Sequence, residues 1–320
     1  MREPPRFISP MLAKLMQAPP VGDEWVHETK FDGYRIQARI APGGVKLLTR
    51  GGLDWTARLG ARLPAALSKL PCKNAVLDGE VIAADEAGAA DFIRLAEHLS
   101  EGESGALIYC VFDLLFIDGV DLRAVPLTDR KARLRKLLGS RPRRGLHFSA
   151  HQSGDGASFL KKACKRKLEG IVSKLSQSPY VSARDGSWIK SKCIEEQEFV
   201  IVGFTHSTVL DKAIGALTLG VHERGKLRYA GRIGTGFTQK TSRMLYARLK
   251  PLQQGGPPFP GALSSRERRG VVWVKPALVV QVEFRAWTAD GLVRHGAFKG
   301  LREDKPPREI VAERSGKKKK

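Results

Sequence analysis

The sequence predicts an α+β protein in two parts, with antiparallel sheets flanked by helices up to residue 194 and a small closed β-barrel over 195–312. Three observations carry that expectation. Up to residue 194, alternating or apolar runs of strand length are interleaved with amphipathic helical stretches. Glu195–Glu198 is acidic and polar and marks a change of texture. Beyond it, Phe199–Phe204, Ala216–His222, Lys226–Arg232, Val271–Val274 and Val279–Trp287 read as closely spaced strands with one helix, Lys240–Leu249, among them.

Residues 1–22 are proline-rich and expected to be extended, with a short amphipathic piece at Met11–Met16. Trp25–Lys30 and Tyr34–Ile40 alternate as strands on either side of a turn. Val45–Thr49 is a further strand, followed by a glycine-bearing loop from Arg50. Leu63–Leu70 and Asp91–Leu99 read as helices. Ala75–Ala83 is an apolar strand interrupted by Asp78-Gly79-Glu80, and Ala106–Phe116 is a long apolar run suited to a central strand. Leu127-Thr128 reads as a staple and N-cap for a helix that runs to Leu138 and closes at Gly139. Gly156–Leu168 is a second basic amphipathic helix. Gly170–Lys174 and Trp188–Lys192 are short strands around a polar loop, and Lys317–Lys320 ends the chain as a basic disordered tail (313–320).

The net charge is +22, from 55 Lys plus Arg against 33 Asp plus Glu. A balance this basic points to a polyanionic partner, most often nucleic acid. Arg123–Arg144 alone holds nine basic residues and one acid, Asp129; such a run reads as a solvated face or as a nucleic-acid contact. No apolar run is long enough to span a bilayer, and Met1–Pro10 lacks the apolar core of a signal peptide. Cys72, Cys110, Cys164 and Cys193 are isolated, so neither a zinc site nor a disulfide scaffold is indicated, and a reducing cytoplasm fits.

The chemistry concentrates at Glu28-Thr29-Lys30-Phe31-Asp32-Gly33-Tyr34-Arg35. A lysine becomes a nucleophile when its neutral amine is favoured by burial or by neighbouring cations. Gly33 would let the backbone turn tightly beside a ligand, and Arg35 could fork onto a phosphate. Asp78 and Glu80 are acids within a strand, where an uncompensated charge is costly. Lys190 and Lys192 alternate, so both face one side of their strand. Paired lysines invite an anion between them, and the nearby acids suggest a metal. Together these features describe a site for a nucleoside triphosphate with Mg²⁺ beside an amine nucleophile.

The ordered motifs resemble those of the ATP-dependent DNA ligases, which are covalent lysyl nucleotidyltransferases. They are Lys30-Phe31-Asp32-Gly33-Tyr34-Arg35, Arg50-Gly51-Gly52-Leu53-Asp54, Leu77-Asp78-Gly79-Glu80, Val111-Phe112-Asp113, Glu169-Gly170-Ile171-Val172, Trp188-Ile189-Lys190-Ser191-Lys192 and Arg302-Glu303-Asp304-Lys305. Phe7–Ala13 and Phe298–Arg302 are similar to the bacterial ligases of double-strand-break repair and to the ligase modules of larger repair enzymes. The resemblance implies an adenylation domain with an ATP-grasp-like nucleotidyltransferase fold over 1–194, then an oligonucleotide-binding (OB) fold over 195–312.

The resemblance also implies the roles. Lys30 attacks the α-phosphate of ATP and carries AMP. Glu28 reads the adenine amino group, Glu80 contacts the ribose and Phe112 stacks on the base. Arg35 and Arg50 contact AMP or the 5′-phosphate of the nick, Arg184 is a further nucleotide contact, and Lys190 and Lys192 hold the α-phosphate. Glu169, with Asp32 or Glu80, binds Mg²⁺ or Mn²⁺. Arg302, Asp304 and Lys305 orient the pyrophosphate. Lys190, Lys192 and the metal are expected to lower the pKa of Lys30. The implied partners are nicked or broken duplex DNA and a Ku-type end-binding protein, for a monomer in the bacterial cytoplasm at the nucleoid. An RNA ligase or mRNA-capping guanylyltransferase shares the lysine motif, and a DNA-end binder that has kept only the fold is the non-enzymatic reading. Labelling by ATP against GTP, and substitution of Lys30, separate them.

Overall fold

Trp25–Lys30 and Tyr34–Ala41 are strands, but they do not pair with each other. The segment that reads as a hairpin is instead a crossing between two sheets. The computed structural model describes residues 2–84, 90–101, 107–139, 145–166, 168–193, 195–288 and 290–313. The basic tail, Ala106, Lys167 and the end of the basic run at 140–144 lie outside them. The chain divides into two compact units, with the break after Cys193.

In the first unit the elements are β1 (Lys14–Leu15), β2 (Trp25–Lys30), β3 (Tyr34–Ala41), β4 (Gly44–Thr49), α1 (Arg62–Leu67), β5 (Ala75–Ala83), α2 (Phe92–Glu101), β6 (Leu107–Ile117), β7 (Val120–Asp121), α3 (Leu127–Leu138), β8 (Leu146–Phe148), β9 (His151–Ser153), α4 (Gly156–Lys165), β10 (Gly170–Leu175) and β11 (Trp188–Lys192). One sheet has the order β1-β11-β10-β2-β9; the other runs β4-β3-β5-β6-β7, with β8 added beside β6. Apart from the parallel β1–β11 and β6–β8 pairs, their ladders are antiparallel.

The second sheet is amphipathic in the way period-two alternation requires. Tyr34, Ile36 and Ala38 of β3 enter a core with Leu77 of β5, Leu63 and Leu67 of α1, Phe92 and Leu95 of α2 and Leu134 of α3. The alternate residues Arg35 and Gln37, paired across to Glu80 and Asp78, form a polar face. The Gln37 amide bonds both the N–H and the carbonyl of Ile8, at 3.0 and 2.9 Å, and so pins the extended N-terminal segment.

Asp78-Gly79-Glu80 does not interrupt β5, which runs unbroken to Ala83. The irregularity falls on the partner. Gly79 faces Val111 and Asp78 faces Asp113, leaving Phe112 as the extra residue of a bulge in β6. A bulge re-aims the side chain it carries.

The two basic helices differ from each other. On α4, Lys161, Lys162, Lys165 and Arg166 are exposed, as a solvated face should be. On α3, Arg130 and Lys131 are 0% and 1% exposed and lie in the buried stripe with Leu127, Leu134, Leu137 and Leu138. Arg130 forks onto Asp113 with bonds of 2.8 and 2.9 Å, a pair fully removed from solvent. The N-cap of α3 is Pro126, without a side-chain cap bond, rather than Thr128; Gly139 closes it at φ 78°. The cysteines also depart from expectation. Cys164 and Cys193 form a disulfide, their Cα atoms 5.2 Å apart, because the last turn of α4 lies beside the residue that follows β11.

The second unit contains β12 (Glu195–His206), β13 (Ile214–Glu223), β14 (Lys226–Ile233), α5 (Gln239–Leu249), α6 (Ser265–Arg268), β15 (Val272–Trp273), β16 (Val279–Phe284), β17 (Ala286–Trp287), β18 (Val293–Arg294) and β19 (Ala297–Leu301). Its main sheet has the order β14-β13-β12-β16-β19 with β15 on β12. Bulges in the β12–β13, β13–β14 and β16–β19 ladders bend it. Among the described residues no ladder joins β14 to β19, so the expected closure is not completed by strand pairing; the Phe298 N–H of β19 donates to the Thr235 carbonyl just past β14 at 3.0 Å. Its core is built from Phe199, Leu217, Leu219, Leu245, Val280, Val282 and Phe298. Among the described residues no helix is long and apolar enough to cross a membrane.

Candidate active site

The register of β2, β10 and β11 lays out a grid. Lys30 faces Gly170, which faces Lys192; Glu28 faces Val172, which faces Lys190; Val26 faces Lys174, which faces Trp188. Directly opposed residues share a face of the sheet, and alternate residues along a strand do too. Glu28, Lys30, Lys174, Lys190 and Lys192 therefore project from one side. Gly170 is required at the centre of its row. It has φ 154°, and a Cβ there would stand 2.2 Å from the Ser191 carbonyl oxygen.

Lys30 lies at the end of β2, just before the crossing. Its Nζ donates to Glu169 Oε2 at 2.5 Å, and the Glu169 side chain is 5% exposed. Burial alone would push the amine's pKa down, but the charges of Glu169, Glu80 and Asp32 outweigh it and hold the pKa above the ordinary lysine value. This corrects the expectation of a depressed pKa. Lys192 is two strands from Lys30, about 9–10 Å between backbones, whereas the carboxylates are adjacent. Gly33 likewise has another reason than a turn. A Cβ on it would lie 2.2 Å from the Val81 carbonyl oxygen, so glycine lets the crossing segment lie against β5.

Glu28 is 2% exposed and meets two lysines. Lys131 Nζ is 2.8 Å and Lys174 Nζ 3.0 Å from Oε1, close ion pairs rather than well-aligned hydrogen bonds. The Ser149 hydroxyl donates to Oε2 at 2.8 Å. Burial would raise the Glu28 pKa; the two ammonium groups and these bonds overcome it and hold the carboxyl below its usual range. Lys174 is pushed down to about 8, by burial first and by Lys131, against the opposing charges of Glu28 and Asp113.

Phe112 is half-buried at its bulge. Lys174 Nζ lies 4.4 Å and the Arg35 guanidinium carbon 5.4 Å from its ring centre, and Trp188 meets it edge-on at 5.8 Å. Arg35 directs its fork into the protein, to Asp78 at 3.0 and 2.7 Å, and donates to the Met11 carbonyl at 2.6 Å. Tyr180 bonds the same Asp78 at 2.7 Å. Arg35 thus links the N-terminal segment to β5.

Glu80 and Asp32 stand near enough to act on Lys30, and Lys190 and Lys192 are half-buried on its face of the sheet. Arg50 is half-buried in the turn after β4, and Arg184 is exposed in the loop before β11. Arg302, Asp304 and Lys305 belong to the second unit. There Arg302 forks onto Asp304 with two bonds of 2.9 Å, and Lys305 pairs with Glu198. Among the described residues no three His, Cys, Asp or Glu side chains converge as a ready cage for a metal ion. The hard oxygens of Glu169, Glu80 and Asp32 nevertheless suit Mg²⁺, which characteristically takes one or two carboxylates and completes its shell with phosphate and water.

The sequence reading missed Lys131, Lys174 and Ser149. Lys131 had a visible signal, because it occupies the apolar stripe of α3 at helical spacing from Leu127, Leu134 and Leu138. Lys174 alternates with Val172 and Gly170 and so shares the face of Glu169's motif. Ser149 carried none.

Comparison with known proteins identifies the family. The family described as "ATP dependent DNA ligase domain" matches residues 10–192, and "ATP dependent DNA ligase C terminal region" matches 211–305. The chain is 44% identical over 313 residues to the "Multifunctional non-homologous end joining protein LigD" of Pseudomonas aeruginosa, covering 97% of this chain and 37% of that protein. It is 35% identical over 294 residues to the Mycobacterium tuberculosis protein "Multifunctional non-homologous end joining DNA repair protein LigD", covering 91% and 38%. This chain therefore spans well under half the length of these relatives. Among solved structures, "mycobacterial DNA ligase D complexed with ATP and MES" matches with a TM-score of 0.64 and 32% identity, over 94% of this chain and 98% of that one. The chain belongs to the ATP-dependent DNA ligase family.

Proposed function

We propose that this chain seals nicks between a 3′-hydroxyl and a 5′-phosphate in duplex DNA, using ATP and a lysyl-AMP intermediate. The observation that carries the reading is the placement of Lys30 within a carboxylate shell, on the same sheet face as Glu28, Lys190 and Lys192. In the first displacement Lys30 Nζ, having given its proton to that shell, bonds to the α-phosphorus of ATP, and the bond to pyrophosphate breaks. In the second, an oxygen of the DNA 5′-phosphate attacks that phosphorus and the bond to Lys30 breaks. In the third, the 3′-hydroxyl attacks the DNA phosphorus, loses its proton and displaces AMP.

The residues supply position and charge. Glu169 holds the amine at the end of β2. Lys190 and Lys192 are assigned to the α-phosphate, Glu28 to the adenine amino group, Phe112 to the base and Glu80 to the ribose. Arg50 and Arg184 are assigned to the phosphate and nucleotide. Arg35, already bound to Asp78, acts by fixing the wall of the site. Mg²⁺ would be held by Glu169 with Glu80 or Asp32, and it would neutralise phosphate charge. Arg302, Asp304 and Lys305 are assigned to the pyrophosphate.

The end-joining relatives support placing the chain in double-strand-break repair; the cytoplasmic monomer with a Ku-type end-binding partner rests on the family resemblance alone. The test is incubation with α-labelled ATP and Mg²⁺, peptide mapping, then a chase with nicked duplex. Label on Lys30 that the chase converts to sealed product and AMP is expected. A label elsewhere, or one that nicked DNA cannot discharge, overturns the reading. Labelling from GTP, or discharge only by nicked RNA, would redirect it to capping or RNA ligation. If about six phosphates are contacted, log K for DNA falls against log salt with a slope near −5.

A further inference from the structure

Lys131 is a buried cation ringed by three oxygens. Its Nζ sits 2.8 Å from Glu28 Oε1, donates to the Ser149 carbonyl at 2.8 Å and reaches the Phe112 carbonyl at 3.3 Å. These partners are the acid assigned to the base, the residue whose hydroxyl holds that acid's other oxygen, and the bulge residue assigned to stack. An ammonium has three donors and no acceptor capacity. One helix residue thus fastens together the groups that would form the base-binding end of the site.

We propose that Lys131, with Ser149, is a specificity-determining positioning pair: it keeps Glu28 an acceptor-only carboxylate, so that the site selects 6-amino over 6-oxo purine nucleotides. The inference rests on the reading that Glu28 takes the amino group of the base. An ionised carboxylate can accept from an N–H but cannot donate. Facing the carbonyl oxygen of a 6-oxo purine, it would place acceptor against acceptor. A protonated Glu28 could donate to that oxygen and would lose the discrimination. The charge state of Glu28 is thus a selectivity element, and Lys131 is its nearest cation.

Every element packed around Glu28 contributes to that state. Lys131 comes from α3, Lys174 from β10, His151 from the facing position on β9 and Ser149 from the segment before it. Asp113 of β6 acts through Lys174. Of these, Lys131 and Lys174 hold the carboxyl low by charge, and Ser149 by its hydrogen bond.

The experiment compares single-turnover self-adenylylation by ATP and by inosine triphosphate, the 6-oxo analogue, in the wild type, Lys131→Met, Lys131→Arg and Ser149→Ala. Hydrogen bonds to charged groups are worth a factor of about 10 or more. Lys131→Met is expected to raise the KM for ATP about 10-fold, with the rate at saturating ATP changed less than about 3-fold, the mark of lost binding rather than lost chemistry. Its ATP:inosine triphosphate preference, measured at one pH, is expected to fall about 10-fold. Lys131→Arg is expected to restore the wild-type preference.

A structural role alone would lower the active fraction equally for both nucleotides. An unchanged preference in folded Lys131→Met overturns the proposal. Should that variant not fold, Ser149→Ala decides, with a lower preference and a raised KM for ATP expected and no change in either overturning it. A wild type that takes no label from ATP would defeat the ligase reading instead.

Discussion

Two residues apart on one strand, Lys30 and Glu28 occupy opposite charge settings. Lys30 is one ammonium among the carboxylates of Glu169, Glu80 and Asp32. Glu28 is one carboxylate between the ammonium groups of Lys131 and Lys174. The first setting holds a proton on the amine and by itself would repel a polyphosphate. In the proposed reaction it would become productive once phosphate arrived with a divalent cation and met Lys190 and Lys192. The second setting needs no ligand to fix its charge, because its cations are built in. On the proposed assignment, the base end is prepared by the fold, whereas the phosphate end would be completed by its substrate.

The sharpest way to break the comparison is at Lys30. Lys30→Arg keeps the positive charge opposite Glu169 and is expected to abolish the ATP label entirely while circular dichroism stays unchanged. Glu169→Gln is next. It leaves the amine in place without its counter-charge and is expected to slow single-turnover adenylylation by about 100-fold, in the range typical of groups that handle the proton.

At the other end, Glu28→Gln strands two buried ammonium groups and is expected to cost about 3 kcal/mol, read from the urea midpoint at pH 7. The sign with pH follows from the lowered pKa of Glu28 in the folded state. Its contribution is complete above the unfolded carboxyl value and is lost as pH falls through the folded one. Glu28→Gln should therefore flatten the acid limb of stability. The last effect is a slope rather than an offset and concerns Lys174, whose pKa falls from 10.5 to about 8 on folding. The unfolded chain binds more protons between those values, so stability rises with pH across that window, by at most about 1.4 kcal/mol per unit. Lys174→Met is expected to remove that slope, measured by urea unfolding at pH 8, 9 and 10.

Much of the site was legible because its chemistry demands particular residue types at strand spacing. Glu28 and Lys30, and Lys190 and Lys192, each fall two apart and so project together. What was not legible came from elsewhere in the chain. The supporting cation on α3 was hidden in a basic run that reads as surface, although its place in the leucine stripe marked it as buried. The charge on Lys30 was misjudged because motif order does not say which neighbour is nearest; register puts carboxylates beside it and Lys192 two strands away. The fold was legible as strands and helices but not as pairings. β2 and β3 adjoin in sequence and part into separate sheets, a choice made by the packing of Gly33 on β5. The disulfide joins cysteines that sequence spacing cannot connect.

The grid on β2, β10 and β11 has a consequence for tolerance to insertion and deletion. A one-residue slip in any of the three strands would turn its ligand-facing side chains to the opposite surface, where His27, Ser173 and Ile189 now stand in line. No compensating rotamer could restore them. The stretch 177–186 joins β10 to β11 outside that lattice but is fixed by bonds of its own, Tyr180 to Asp78 and the Ser178 carbonyl to Arg130. Register holds the strands, and these side chains hold the connection between them.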